Sequence, residues 1–207
     1  MSPQRAPSDT DELKANLSPL AWAEPVLDRF FKVRAFDAFL ERIHVAGRPD
    51  FFTSAMEQAG LCNTWSDQCL ARIPRSGPLV VVANHPHGLA DGLVAMDFLL
   101  RARPDALVVG NRWLSQIPGI RPWLIEVNPF DPDQADLGNL AGTRRILSHL
   151  KAGGCILTFP AGEVSNLSLK HRAVRDPVWS PQVVRLARRA QASIVPLHLS
   201  GGNSRLF

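Results

Sequence analysis

The stretch Leu79-Val-Val-Val-Ala-Asn-His-Pro-His-Gly-Leu-Ala-Asp-Gly-Leu93 decides how this chain folds. Its first residues are apolar and mostly β-branched and stop at a His-Pro pair, which is typical of a buried strand with polar groups at its carboxyl end. Residues 89–100 are apolar enough to form a buried helix. The strand, a turn containing glycine and the first helical turn would bring His85 close to Asp91.

A histidine beside a carboxylate is the arrangement of a general base and its orienting group. When an aspartate accepts a hydrogen bond from one imidazole nitrogen, the other nitrogen is left to take a proton. A capping aspartate beside a structural histidine explains the same two residues when they are taken alone. The other strand ends of the chain favour the catalytic interpretation.

Strand patterns alternate with helix patterns along most of the chain. Further short apolar strands are predicted at 106–111, 124–127, 155–159 and 193–199, and helices at about 51–59, 136–150 and 181–192. Pro196 in the last strand favours an edge position or a bulge, and the basic stretch that ends at Ser180 is predicted to be irregular. The alternation predicts an α/β fold: a central, mostly parallel or mixed β-sheet flanked by helices, with an N-terminal helical segment.

The length of 207 residues suits one domain with a full core. Residues 1–19 are rich in Pro, Ser, Asp and Asn and are predicted to form a flexible arm. Residues 20–207 would form the domain, helical over 20–70 and α/β over 71–207. Within the helical part, residues 25–45 combine a Phe face with several arginines. Such a helix either lies on a membrane surface or packs its Phe face on the core.

The net charge and the cysteine content indicate which binding partners and which cellular compartment to expect. A net charge of +4 favours acidic partners such as anionic lipid, phosphate esters or nucleic acid, and residues 170–189 form a basic flank. Cys62, Cys69 and Cys155 lack metal-ligand spacing and are predicted to be free cytosolic thiols. The chain has neither a signal-peptide pattern nor a window of the ~18 apolar residues of a membrane span, so membrane contact is predicted to be peripheral.

Three further stretches follow predicted strands, at the edge where an open α/β sheet binds its ligands. Residues 110–119 offer Asn111 and Arg112. Residues 159–165, Phe-Pro-Ala-Gly-Glu-Val-Ser, form a glycine turn with free backbone N–H groups. Residues 194–204 begin with Ile-Val-Pro. Each stretch alone is weak evidence, because Pro-Gly turns after strands are common loops.

Taken in order, these stretches resemble the four blocks of the glycerolipid acyltransferase family, which includes lysophosphatidic acid and glycerol-3-phosphate acyltransferases. The His–Asp box corresponds to residues 84–91, the acceptor-binding block to 111–118, the Phe-Pro-Glu-Gly box to 159–165 and the Val-Pro block to 194–196. The resemblance covers about residue 50 to the C-terminus. More narrowly, the Asn-His-Pro-x-Gly and Phe-Pro-Ala-Gly-Glu-Val-Ser boxes are similar to a bacterial hemolysin-like branch, as are residues 176–179.

The resemblance implies an O-acyltransferase of phospholipid biosynthesis. A fatty acyl group would pass from acyl-CoA or acyl carrier protein to a hydroxyl of a lysolipid acceptor, with His85 as base and Asp91 stabilising the imidazolium. Backbone N–H groups near Gly162 or Gly88 are candidates for the oxyanion hole. The residues expected to bind substrate are Asn84, His87, Gly88, Asn111, Arg112, Phe159, Pro160, Gly162, Glu163 and Ser165.

The same resemblance implies which cofactors, partners and location to expect for the enzyme. We expect neither a cofactor nor a metal, with the acyl thioester as co-substrate. The expected partners are the acyl donor, the lysolipid acceptor and an anionic membrane surface, but not nucleic acid. The expected location is cytoplasmic and peripheral on the inner membrane.

The sequence departs from the family pattern at several positions. His85 has five residues before Asp91, where the commonest box has four, and His87 has three. His87 to Gly92 also resembles the His-xxx-Asp-Gly box of condensation domains, but those chains are longer and lack the Phe-Pro-Ala-Gly block. Which histidine is the base therefore stays open, and the position of His85 directly after Asn84 favours His85.

Two departures concern the acceptor and the end of the chain. Ala161 stands at the usual glutamate of the third box and Val164 at the usual arginine, which the family ties to the acceptor phosphate. An acceptor other than a simple phosphate monoester is thus an open alternative. Phe207 follows soon after the fourth block, and we expect either truncation there or loss of the family's last elements.

Two other functional classes explain part of the pattern. A non-catalytic lipid-binding module would keep an apolar groove and the basic flank without needing His85. A metal-dependent hydrolase would use His85, His87 and Asp91 as ligands of a divalent ion. No further His or Cys stands at ligand spacing in the sequence, so the hydrolase is the weaker alternative.

Overall fold

The computed structural model describes residues 50–62, 64–127, 135–168 and 173–200. The predicted flexible arm and the Phe-rich helix at 25–45 lie outside the described residues, as does residue 207. The domain limits proposed at residues 19 and 70 stay predictions.

The described chain contains five α-helices and seven strands. The helices are α1 (Phe51–Gln58), α2 (Asp67–Ala71), α3 (Leu89–Leu100), α4 (Ala135–Lys151) and α5 (Gln182–Ala190), with 3-10 turns at Arg112–Gln116 and Arg121–Trp123. The strands are β1 (Leu79–Ala83), β2 (Leu107–Asn111), β3 (Leu124–Val127), β4 (Cys155–Thr158), β5 (Asn166–Ser168), β6 (Ala173–Arg175) and β7 (Ser193–Leu197).

Five of these strands form one parallel sheet in the order β3-β2-β4-β1-β7. In β1, Leu79 is in register with Cys155 of β4 on one side and with Ser193 of β7 on the other. The carboxyl ends of β1, β2 and β4 therefore meet at one edge, above the middle of the sheet. The strands β5 and β6 pair separately as an antiparallel hairpin.

The central strand β1 is buried along its whole length, as expected where helices cover both faces of a parallel sheet. Leu79, Val81 and Ala83 belong to a core that includes residues of α1 and α3. Val80 and Val82 face the opposite side and pack with residues of α4 and α5. This two-sided core fixes the register of β1 and therefore the position of the residues that follow it.

A buried arginine forms hydrogen bonds with the segments that precede three strands. Arg103 is 1% exposed and forms a bidentate ion pair with Asp105, with nitrogen–oxygen distances of 2.8 and 2.7 Å. It also donates to the carbonyls of Pro74 and Gly77 ahead of β1 and of Gly153 ahead of β4. Because this network lies at the amino edge of the sheet, it stabilises the fold without touching the carboxyl edge.

The structure confirms the predicted α/β class and the mostly parallel sheet flanked by helices. The edge position expected from Pro196 is also confirmed, since β7 pairs only with β1 among the described strands. The prediction of an irregular stretch was wrong for residues 166–168 and 173–175, which form the hairpin. Strands of three residues are too short to show an alternating pattern in sequence. None of the described helices is both long and apolar enough to cross a lipid bilayer.

Candidate active site

His85 and Asp91 are in direct contact at the carboxyl edge of the sheet. The Nδ1 atom of His85 lies 3.0 Å from Oδ2 of Asp91. The side chain of Asp91 is 1% exposed, whereas that of His85 is 19% exposed. A buried carboxylate thus orients an imidazole that solvent or a ligand can reach, as a base and its orienting group require.

The turn between strand and helix makes this contact possible. Gly88 adopts a positive φ of 63°, a conformation that costs glycine little, and its carbonyl accepts the main-chain N–H of Asp91. Oδ2 of Asp91 also accepts the main-chain N–H of His87 at 2.7 Å. The carboxylate lies in the first turn of α3, where the helix dipole favours negative charge.

The ring and the main chain of His85 have further contacts. Phe159 stacks on the imidazole with ring centroids 4.2 Å apart and an interplanar angle of 28°. The carbonyl of His85 accepts the main-chain N–H of Ser165 at 2.8 Å, and its own N–H donates to Oδ1 of Asp176 at 3.1 Å. The glycine turn after β4 and the segment after β6 therefore both support the residue that follows β1.

The Asp176 carboxylate accepts hydrogen bonds from several segments of the chain. The Ser165 hydroxyl donates to its Oδ1 atom, and Nε1 of Trp179 donates to Oδ2 at 2.8 Å. Burial opposes ionisation, but the hydrogen bonds from Ser165, from the His85 main chain and from Trp179 outweigh it and lower the pKa of Asp176.

An apolar cavity of about 440 Å³ adjoins the imidazole. His85 contributes to its wall, and the cavity extends between α3, β2 and α1 as far as Phe52 and Ile120. Trp113 and Val164 also line it while being 42% and 44% exposed, so they mark its mouth. The volume lies within the range of small-molecule sites, and the lining suits a hydrocarbon chain.

A glycine on α3 keeps part of this cavity open. Gly92 lines the cavity, and a Cβ atom placed on it would meet no atom within 4 Å. The adjoining positions of the helix, Leu89 and Leu93, also line the cavity. A side chain at position 92 would therefore begin in open space beside the cavity.

The structure brings together only part of the predicted site. His85, Gly88, Asn111, Phe159 and Gly162 line the cavity. The predicted site residues that do not line it are Asn84, His87, Asp91, Arg112, Pro160, Glu163 and Ser165.

Most of the predicted polar ligands already have partners in the structure. The Asn84 amide forms two hydrogen bonds with the main chain of Leu199, at 2.8 and 2.7 Å. The Asn111 side chain accepts from the N–H of Trp113, and the Gly162 N–H donates to the Phe159 carbonyl. The side chains of Arg112 and Glu163 are exposed. These residues support the site or lie outside the cavity, so their expected role in substrate binding stays a prediction.

Within the described part of the chain, no group of three or more His, Cys, Asp or Glu residues is placed to hold a metal ion. His87 contributes its main-chain N–H to Asp91, and His85 contributes its ring. This geometry gives the hydrolase alternative no support.

Sequence reasoning missed several residues of the site. The sequence singles out Asp176 only through a family resemblance, and nothing in its neighbourhood signals a contact with a residue 91 positions away. Trp113, Val164 and Gly92 line the cavity but were not predicted to do so. The position of Gly92 after Asp91 in a helix was a usable signal, because glycine inside a helix costs stability and usually has a packing or functional reason.

Comparison with known proteins places this geometry in context. A family model described as Acyltransferase matches residues 28–207. A lyso-glycine lipid O-acyltransferase of Bacteroides thetaiotaomicron is 26% identical over 140 residues, which are 67% of this chain and 48% of that protein. A protein of the same name from Phocaeicola vulgatus is 27% identical over 140 residues, covering 67% and 47%. The chain spans about half the length of the curated relatives it matches.

Proposed function

The chain belongs to the acyltransferase family whose model it matches, and from that premise we propose that it transfers a fatty acyl group from a thioester donor to a hydroxyl of a lysolipid or glycerolipid acceptor. The donor is acyl-CoA or acyl carrier protein. The family predicted from the sequence is thereby confirmed, whereas the hemolysin-like branch and a role in phospholipid biosynthesis stay predictions. The observation that carries the proposal is the His85–Asp91 contact beside an apolar cavity.

The mechanism follows from the two imidazole nitrogens. When Nδ1–H of His85 donates to Asp91, Nε2 is the acceptor that removes the proton from the acceptor hydroxyl. The oxygen then attacks the thioester carbonyl, the carbon–sulfur bond breaks, and the imidazolium returns its proton to the leaving thiolate. Asp91 stabilises the imidazolium between these two steps, because its negative charge is buried 3.0 Å from Nδ1.

The cavity gives the acyl chain a place beside the base. Its lining includes Leu89, Leu93 and Val108, and it ends on aromatic and branched residues of the core. A hydrocarbon chain bound there removes apolar surface from water, worth roughly 25 cal/mol per Å². The thioester carbonyl would then lie near the cavity mouth, next to His85.

We propose that the acceptor head group carries an amino acid rather than a phosphate monoester. Val164 stands where the family resemblance predicts an arginine tied to phosphate, and it lines the cavity mouth. A valine offers no charge to a phosphate. The two relatives are named for a lyso-glycine lipid, which motivates the same choice for this chain.

We propose that the enzyme reaches its acceptor on an anionic membrane surface. Leu167 and Val174 are paired across the hairpin and are 63% and 61% exposed. Val164 at the cavity mouth lies three residues ahead of Leu167. The exposed basic residues Arg175, Arg185, Arg188 and Arg189 belong to the basic flank, whereas Lys170 and Arg172 lie outside the described residues. Apolar side chains with neighbouring positive charge suit an anionic bilayer.

The direct test is acyl transfer by the full chain. Radiolabelled palmitoyl-CoA and palmitoyl-acyl carrier protein would each be offered with lyso-glycine lipid or lysophosphatidic acid in vesicles. We expect labelled diacyl product with one donor, a preference for lyso-glycine lipid, and loss of product with His85→Ala. Lipid binding without transfer under all four conditions would instead support the non-catalytic lipid-binding module.

A further inference from the structure

The main chain of His85, like its ring, is held by contacts with other segments. Its N–H donates to Oδ1 of Asp176 at 3.1 Å, and its carbonyl accepts the N–H of Ser165 at 2.8 Å. Ser165 in turn donates its hydroxyl to the same Oδ1 atom. His85, Ser165 and Asp176 therefore form a closed ring of hydrogen bonds that joins the end of β1 to the turn after β4.

The location of Asp176 explains why one carboxylate can do this. It directly follows β6, which ends at Arg175, and Trp179 donates to its second oxygen at 2.8 Å. Three donors from three segments converge on two oxygens, and the pKa of the carboxyl is lowered although burial opposes ionisation. The charged form is the one that accepts from all three donors.

We propose that Asp176 is a positioning residue that sets the location of the His85 imidazole for acyl transfer. The inference rests on the proposed function of His85 as the base. Asp91 and Phe159 contact the ring. The position of the whole side chain, however, depends on the position of the His85 main chain. Moving that peptide by a fraction of an ångström carries Nε2 away from the reacting hydroxyl, and displacements of about 1 Å cost on the order of 10²-fold in rate.

The variant that tests this is Asp176→Asn, which keeps the shape of the side chain. An amide offers one neutral acceptor oxygen and a donor NH₂ group. At least one of the three donors then faces another donor, and the His85 N–H keeps at best a weaker bond to an uncharged oxygen. We expect kcat to fall about 10–100-fold, with KM for the acyl donor changed less than about twofold because the cavity is untouched. The matched control is Trp179→Phe, which removes one donor but leaves the bond to the His85 main chain, and its kcat should stay within about threefold of wild type.

Comparing the effect of Asp176→Asn in the wild-type protein and in His85→Ala separates a positioning role from a general effect on stability. In His85→Ala, the remaining slow transfer no longer uses the imidazole, so adding Asp176→Asn should leave that residual rate unchanged. A purely structural role would lower the rate by the same factor in both backgrounds. Equal factors would therefore overturn the proposal.

Nuclear magnetic resonance gives a readout that does not depend on activity. In the full chain labelled with ¹⁵N-histidine, the His85 signals would be assigned by their loss in His85→Ala. We expect Asp176→Asn to shift the His85 main-chain amide and its ring nitrogens, with circular dichroism unchanged, while Trp179→Phe leaves the ring signals in place. Unshifted ring signals in Asp176→Asn overturn the proposal, whereas shifted ring signals in a protein without acyl transfer would contradict the proposed function alone.

Discussion

The buried Asp91 carboxylate is 3.0 Å from the ring of His85, although five residues separate the two in sequence. The longer spacing is accommodated because the turn at Gly88 folds back and the His87 main-chain N–H donates to the same carboxylate oxygen. The geometry therefore favours the side chain of His85 as the base that the sequence left undecided between two histidines.

The first prediction separates those two histidines. His85→Ala should lower kcat by about 10²–10⁴-fold, the usual contribution of a general base, because Nε2 is lost. His87→Ala is the matched control and should retain most of the rate, since its bond to Asp91 comes from the main chain. Single-turnover acyl transfer and circular dichroism of both variants provide the measurement. A larger loss with His87→Ala would show that the base assignment is wrong.

The second prediction concerns the length of the acyl chain. Gly92→Leu should place a side chain into the cavity, because a Cβ at this position meets no neighbour within 4 Å. We expect the ratio of kcat/KM for palmitoyl over octanoyl donors to fall at least about tenfold, as one or more methylene groups lose their space. Gly92→Ala should change this ratio less.

Stability provides the control for that variant. Replacing a helical glycine by leucine favours the helix by somewhat less than about 1 kcal/mol, so the melting temperature of Gly92→Leu should not fall. A variant that loses long-chain transfer while remaining at least as stable as wild type would place the acyl chain in this cavity. An unchanged chain-length profile would contradict that placement.

The fold and the centre of the site could be predicted because they depend on local sequence. The apolar β1, the glycine turn and Asp91 lie within 15 consecutive residues, so strand and helix patterns alone bring the pair together. The contacts of Asp176 could not be predicted, because they require the chain to return through a short hairpin to a residue 91 positions earlier. The cavity depends likewise on how α1 packs, since Phe52 forms part of its wall.

The third prediction concerns stability in acid. The ion pair with Arg103 lowers the pKa of Asp105 below its ordinary value in spite of partial burial. A carboxyl with a lowered folded-state pKa adds stability above its unfolded pKa of about 4, and that stability is lost as pH falls through the folded pKa. Asp105→Asn should therefore be less stable than wild type at pH 7, and the difference should shrink below about pH 4.

Urea unfolding followed between pH 7 and pH 2.5 measures this difference. A constant difference between Asp105→Asn and wild type across the range would show that ionisation of Asp105 does not contribute.

The fourth prediction concerns the three thiols. Cys62 and Cys69 are exposed and Cys155 is buried. Burial raises the pKa of Cys155 to about 12, and only the thiolate reacts with a disulfide reagent. We expect two thiols to react rapidly at pH 8 and the third only after unfolding in guanidinium. Cys155→Ser should leave the rapid count at two, and rapid reaction of three thiols in the native wild-type protein would contradict the burial of Cys155.

The last prediction concerns membrane contact. The full chain should sediment with vesicles that contain phosphatidylglycerol at low salt and should be partly released at high salt, because each Lys or Arg near an anionic surface contributes about 1 kcal/mol. The double variant Leu167→Asp/Val174→Asp should bind more weakly, since these exposed residues would enter the interface as charged groups. Leu140→Asp, which replaces an exposed apolar residue on α4, is the matched control and should bind like wild type.

The salt dependence distinguishes the two contributions to binding. If the hairpin inserts apolar side chains, wild type keeps part of its binding at high salt and the double variant loses it, because salt screens charges but does not weaken apolar insertion. The predicted Phe-rich helix lies outside the described residues, so the hairpin variant is tested in the full chain with that helix present. Equal binding of the double variant and wild type at both salt concentrations would remove the hairpin as the anchor and leave the contact to the basic flank and the N-terminal segment.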